Sequence, residues 1–296
     1  MTAVLLTFLG RVSKKDEGTY RKTRYDFGGG DISEPVAFFG WQLQKRVSSD
    51  RMIILGTAGS MWDHLSEGDL PFGEDFEEIR LRLLEATEKK RVTNAHLVPL
   101  QEPLSRLQDC DLRLRIIPYC RNEREQIKLL NIMAEYIEPG DEVHIDISHG
   151  FRHLPMIALL AALHLRVVRN AKISGIWYGS FDPDTGDAPV YNLVGLLRIA
   201  DWIQALHTYD KDGDYGVFAP LLGPAGEMLR RAAYFERTTN PVKAREALIG
   251  WANREDRCPA DDPAAELFRN ELEDRIHWIR HRDRASWEAS LARRYL

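Results

Sequence analysis

The chain predicts an α/β fold, a Rossmann-like and mostly parallel sheet followed by a smaller helical domain. Three observations carry that reading. Short apolar runs of strand length alternate with amphipathic segments of helix length. The first run, Ala3 to Leu9, is almost continuously apolar, as a central strand covered on both faces requires. After Asp201-Trp202 only helical patterning continues. The expected domains are therefore 1–205 and 206–296.

Taken in order, Ala3 to Leu9 is the first strand, and Val36 to Val47 reads as the crossover helix leading to a second strand at Met52 to Leu55. Glu74 to Lys90 is a charged helix with Phe76, Ile79, Leu83 and Leu84 on one side. His96 to Leu100 and Leu112 to Pro118 are the next strand candidates, and Glu123 to Ile137 is a helix ended by Pro139-Gly140. Val143 to Ile147 is a short strand, Pro155 to Val168 a helix with proline at its first position, and Ile173 to Tyr178 the strand that closes the sheet. Beyond it, Gly226 to Arg237, Pro241 to Asn253 and Ala264 onward read as helices.

Ligands of such sheets bind beyond the carboxyl ends of the strands, where adjacent crossovers diverge. Three loops meet that description. Gly10-Arg11-Val12-Ser13-Lys14-Lys15 supplies glycine followed by cations, and Gly56-Thr57-Ala58-Gly59-Ser60 is small and rich in hydroxyls. The third, Ser148-His149-Gly150-Phe151-Arg152, stands between the strand ending at Asp146-Ile147 and a helix N-terminus. Unpaired N–H groups and the positive end of the helix dipole favour an anion there, and serine and arginine add a hydroxyl and a bidentate donor. The alternative is a tight strand-to-helix turn with Asp146 bonded to local amides and His149 packed inside.

The sequence after the first strand has neither Gly-x-Gly-x-x-Gly nor a Walker pattern, which argues against a dinucleotide coenzyme or an NTPase site. A formal charge of -5 argues against a protein that coats nucleic acid nonspecifically. It leaves room for a small anionic ligand in a local basic pocket. Cys110, Cys120 and Cys258 have no metal-ligand spacing, and no cofactor or metal is expected. Three thiols without a secretory signal fit a cytoplasmic protein, and no apolar stretch is long enough to span a bilayer.

Asp146-Ile-Ser-His-Gly-Phe-Arg-His-Leu-Pro155 resembles the Asp-x-Thr-His-Gly-Phe-Arg-x-Leu-Pro signature of the CRISPR-associated Rossmann-fold (CARF) proteins of type III CRISPR systems, in the subfamily marked by the DxTHG motif. Ser148 stands where that pattern has Thr and keeps the hydroxyl. The resemblance extends from residue 1 to about 210. It includes Leu5 to Gly10, Met52 to Thr57 with Trp62, Gly175-Ile-Trp-Tyr-Gly179, and Asp201-Trp202. It implies a homodimeric sensor of cyclic oligoadenylate, a second messenger of antiviral defence, that controls an effector. Phosphates would rest on Ser148, His149, Gly150, Phe151 and Arg152 with help from Gly10, Arg11, Thr57 and Ser60. Adenines would stack on planes such as Tyr25 or Arg24.

Proteins of this family commonly carry a helical HEPN ribonuclease domain in the last third, marked by Arg, four to six residues, then His. Arg275-Ile-His-Trp-Ile-Arg-His281 meets the bare spacing, but Ile276 stands where Asn is usual. A solvated basic helix face is the competing reading. The alternatives to a pure sensor are thus a messenger-activated ribonuclease acting on RNA through Arg275 and His281, or a slow ring nuclease that needs no metal. The chain ends in an amphipathic stretch, Trp287 to Leu296, from which docking across a dimer or a missing effector domain is expected.

Overall fold

Strand β1 (Ala3–Leu9) buries Val4, Leu5, Leu6, Thr7 and Phe8 almost completely, at most 1% exposed, which places it in the middle of a covered sheet. In the computed structural model the described residues are 1–11, 22–66, 76–150, 153–182 and 184–276. The expectations placed on Ser13, Lys14, Lys15, Phe151, Arg152, His281 and the terminal stretch 287–296 lie outside them.

Among the described residues seven strands form one sheet in the order β2-β7-β6-β5-β1-β3-β4, comprising β2 (Arg24–Asp26), β3 (Arg51–Gly56), β4 (Asp111–Ile116), β5 (Glu142–Asp146), β6 (Lys172–Gly179) and β7 (Asp187–Asn192) beside β1. Every neighbouring pair is parallel except β6 with β7. Apart from β2, which directly follows β1 in the chain and lies at the far edge, the strands run from β1 outward through β3 to β4 and then return to the other side of β1 with β5. That reversal makes the β1/β5 junction the switch point of the sheet. Helix α1 (Phe39–Val47) joins the core containing Leu5 and Leu9. The start of α5 (Leu154–Val168), by contrast, adjoins Phe8, which points to the opposite face.

Two of the expected elements need correction. His96 to Leu100 is not a strand but part of helix α3 (Asn94–Gln108), which follows α2 (Glu77–Glu88). The helix survives Pro99 and Pro103 because Leu97, Leu100 and Leu104 share one buried face, and because the Thr93 N–H donates to His96 Nδ1 at its start. Ile173 to Tyr178 does not close the sheet, since β7 and then β2 continue it. β2 has three residues, and in β7 only Ala188 and Val190 join the core. Helix α4 (Glu123–Glu135) is capped by Asn122, whose side chain accepts from the Glu125 N–H. Pro155 is the second residue of α5, within the turn that tolerates proline.

The chain divides into two compact units, 1–194 and 195–296, so residue 205 lies inside α6 (Gly195–Asp212), the first helix of the second unit. The second unit continues with a 3-10 turn (Tyr215–Leu221), α7 (Gly223–Arg237), α8 (Pro241–Ala252), α9 (Pro263–Leu267) and α10 (Arg269–Ile276). Trp202, Phe218, Leu229, Leu248, Trp251 and Leu272 are buried in a core of its own. Arg198 ties α6 to Asp262 at the start of α9. Among the described residues no helix is long and apolar enough to cross a membrane. Burial pushes the thiols of Cys110 and Cys120 up to about 11, as packing residues rather than reactive ones.

Candidate functional site

Thr7 is the polar residue of an otherwise apolar strand, and it is paired in register with Asp146 at the end of β5. Its hydroxyl donates to Asp146 Oδ2 at 2.6 Å, and the Ser148 N–H donates to Asp146 Oδ1 at 2.8 Å. Asp146 has no exposed surface. Burial pushes its carboxyl up to about 6, against the downward pull of those two bonds. The carboxylate therefore fixes the start of the β5–α5 loop from below and does not face solvent.

The loop is held at its other side by β6. Ser148 Oγ accepts the Gly179 N–H at 2.8 Å. His149 reaches the start of α1, where its Nε2 accepts the Phe39 N–H at 3.1 Å and its ring stacks on Phe38 with 5.5 Å between centroids. That amide is among those a helix leaves unpaired in its first turn. Burial pushes His149 down to about 4, and its bond to Phe39 requires an unprotonated Nε2. Gly150 has φ of +124° and is exposed, and a Cβ there would meet Leu154 Cδ1 at 2.6 Å. Glycine is thus what brings this backbone close to the first turn of α5, where the helix dipole favours an anion.

The β3 loop is built differently from its expected role. Thr57 and Ser60 are each 2% exposed, and their hydroxyls lie 3.2 Å apart. The Thr57 N–H donates to Ser60 Oγ, which donates to the Leu9 carbonyl at 2.7 Å. Met61 N–H donates to the Gly10 carbonyl. These groups stitch the end of β3 to the end of β1. Arg11 is exposed at the same end, with Nη1 3.5 Å from the carbonyls of Gly59 and Thr87.

The structure therefore brings Ser148, His149 and Gly150 together at the switch point, with Gly10 and Arg11 at the adjacent strand end. Tyr25 is placed in the core. It is 4% exposed, its ring lies 4.5 Å from that of Phe39, and it packs beneath Gly179, where a Cβ would meet the ring at 2.7 Å. Such a side chain supports the β6 backbone and offers no face to a base. Arg24, its neighbour, is exposed. Arg275 is also committed elsewhere, in a two-bond pair with Asp210 at 2.7 and 2.8 Å and a third contact to Glu271. The Asp210 bond holds its guanidinium well above the usual arginine range. Sequence reasoning missed Thr7 and Gly179, although a lone hydroxyl in a buried strand was the available signal for the first.

Residues 4–183 match the family described as "CRISPR system endoribonuclease Csx1, CARF domain". The chain belongs to this CARF family. The matched segment runs from β1 through β6 and contains every group of the β5 loop just described. A curated relative, the CRISPR-associated protein MJ1674 of Methanocaldococcus jannaschii, is 26% identical over 223 residues, which is 69% of this chain and 35% of the relative. The CARF chain thus spans about a third of that protein's length.

Proposed function

We propose that the first unit is a messenger sensor that binds cyclic oligoadenylate at the carboxyl ends of β1 and β5, controls an effector, and belongs to the DxTHG type of CARF protein. The single observation that supports this most is the exposed Gly150, which follows a loop start fixed by the buried Thr7–Asp146 pair through the Ser148 N–H, between β5 and α5 at the switch point. In this reading phosphates rest on the Ser148 to Gly150 backbone and on Arg152, with Arg11 contributing charge from the neighbouring loop. Asp146, Thr57 and Ser60 act by holding backbone in place. A ring of like nucleotides has rotational symmetry, so two copies of the site across a twofold homodimer read it best.

The test is calorimetric titration with cyclic tri-, tetra- and hexa-adenylate, followed by chromatography of the nucleotide and an RNA cleavage assay. The expected result is tight binding of one ring size at one ring per two chains, with a dimeric mass by light scattering. Failure of all three rings to bind the folded protein overturns the reading, and one ring per chain on a monomer overturns the shared site. Recovery of linear products identifies a ring nuclease instead. Messenger-stimulated RNA cleavage lost in His281→Ala identifies a ribonuclease.

A further inference from the structure

With Tyr25 in the core, the bases of a bound ring need another surface. Trp177 packs on His144 and into the core that holds Tyr25, Ala188 and Val190, on the α1 side of the sheet. Successive strand residues alternate in direction, so Tyr178 points to the opposite face, and Tyr191, its direct cross-strand partner, points the same way. This is the face to which Phe8, and with it the start of α5, belongs. Both tyrosines are open, 37% and 50% exposed. Their Cβ atoms stand about 5 Å apart, the spacing of directly opposed residues. Tyr178 immediately precedes Gly179, whose N–H is bonded to Ser148 Oγ. The pair is therefore one residue from the β5 loop and on the side from which α5 presents its N-terminus.

The sheet also extends past the site here. Beyond Gly179 the Ser180 N–H bonds the Pro189 carbonyl and the Asp182 N–H bonds the Asp187 carbonyl, so β7 continues as a wall above the carboxyl ends of the central strands. Arg24 pairs in register with Asp187 at its far end and, by alternation from buried Tyr25, shares the face of the two tyrosines. An open sheet face with paired aromatic side chains and a guanidinium beside it is a surface on which unpaired bases stack.

Resting on the sensor reading above, we infer that Tyr178 and Tyr191 form the platform that stacks an adenine of the ring whose phosphates lie on the β5 loop. The stacking is tolerant of base identity, because every base has a π-face, and it supplies affinity independently of the phosphate contacts. The experiment is titration of cyclic tri-, tetra- and hexa-adenylate into the full chain and into Tyr178→Leu and Tyr191→Leu. The ring that wild-type protein binds should bind each variant ~5- to 150-fold more weakly, as loss of one stacked base implies. Tyr178→Phe and Tyr191→Phe should bind it as the wild type does. A ring carrying one 2-aminopurine should lose fluorescence on binding wild-type protein and less on binding the leucine variants. Leucine variants with wild-type melting temperature and wild-type affinity would overturn the platform while leaving the phosphate site intact. So would binding without change in 2-aminopurine fluorescence, a measurement that needs no variant. Absence of binding by wild-type protein to any ring would instead strike the sensor reading itself.

Discussion

Asp146→Asn should change how the stability of the first unit responds to pH. Asp146 has its folded pKa raised from 3.8 to about 6. The folded state therefore holds the proton more strongly, and this contribution to stability is present below about pH 4 and lost as pH rises through about 6. His149 is shifted the other way, from 6.5 to about 4. Its contribution is present above pH 6.5 and lost as pH falls through about 4. At 1.36 kcal/mol per pH unit, each shift corresponds to on the order of 3 kcal/mol. In the wild type the two opposing slopes cover nearly the same window and largely cancel. Asparagine keeps an oxygen for the Ser148 N–H and turns its amide toward the Thr7 hydroxyl, which can accept, but it no longer titrates. The variant should then lose about 3 kcal/mol more than wild type between pH 7 and pH 4. Denaturant midpoints across that range, with hydrogen exchange of the β5 amides to assign the transition, measure it. Parallel pH profiles for the two proteins would refute the raised carboxyl.

Thr7→Val removes the buried donor to Asp146 Oδ2 with little change of shape and should cost about 1–3 kcal/mol, more at pH 7 than at pH 5; equal denaturation midpoints would count against it. Gly150→Ala forces a side chain into φ of +124° and toward Leu154, and should lower stability by about 1–3 kcal/mol together with ring affinity; unaltered values in both assays would show that the loop relaxes freely. Arg275→Ala should lower the melting temperature of the second unit by the equivalent of about 1 kcal/mol, with Arg275→Lys recovering only part because the pair with Asp210 uses two nitrogens; full recovery by lysine would make the pair merely a matter of charge.

Much of this architecture is legible from residue pattern, because buried parallel strands must be apolar on both faces. Ala3 to Leu9, Met52 to Leu55 and Val143 to Ile147 carry that pattern, and β1, β3 and β5 lie within a residue of the expected places. The β2 and β7 edge has no such constraint. One of its faces is open, and Asp-Ala-Pro-Val-Tyr-Asn reads as turn because only Ala188 and Val190 point inward. Helix α3 was hidden by its two prolines, whose local cost is outweighed by the burial of Leu97, Leu100 and Leu104. At the site, the loop residues Ser148 to Gly150 were legible from their types. What each touches was not, since Thr7, Phe39 and Gly179 lie far away in sequence and meet the loop only through strand register and the α1 N-terminus.

The β5 loop also explains why this site tolerates groups that folding alone would discard. A buried carboxylate, a histidine held neutral and a glycine at positive φ each depart from what a stable core favours. They occur within the five residues Asp146 to Gly150, and each fixes a backbone group rather than an apolar contact: Asp146 the Ser148 amide, His149 the Phe39 amide, and Gly150 the approach to α5. Replacing Asp146 with an apolar residue would remove a desolvated charge from the sheet but would release the amide that sets the loop. An anion-binding backbone works only if its N–H groups are already aimed, because binding that must first order the loop loses the ordering free energy from its affinity. On the proposed reading, the buried polar network is the part of the core that does for the site what apolar packing cannot. Its position at the β1/β5 junction fits the sheet order, because α1 and the start of α5 lie on opposite faces there and let one loop be held from both sides.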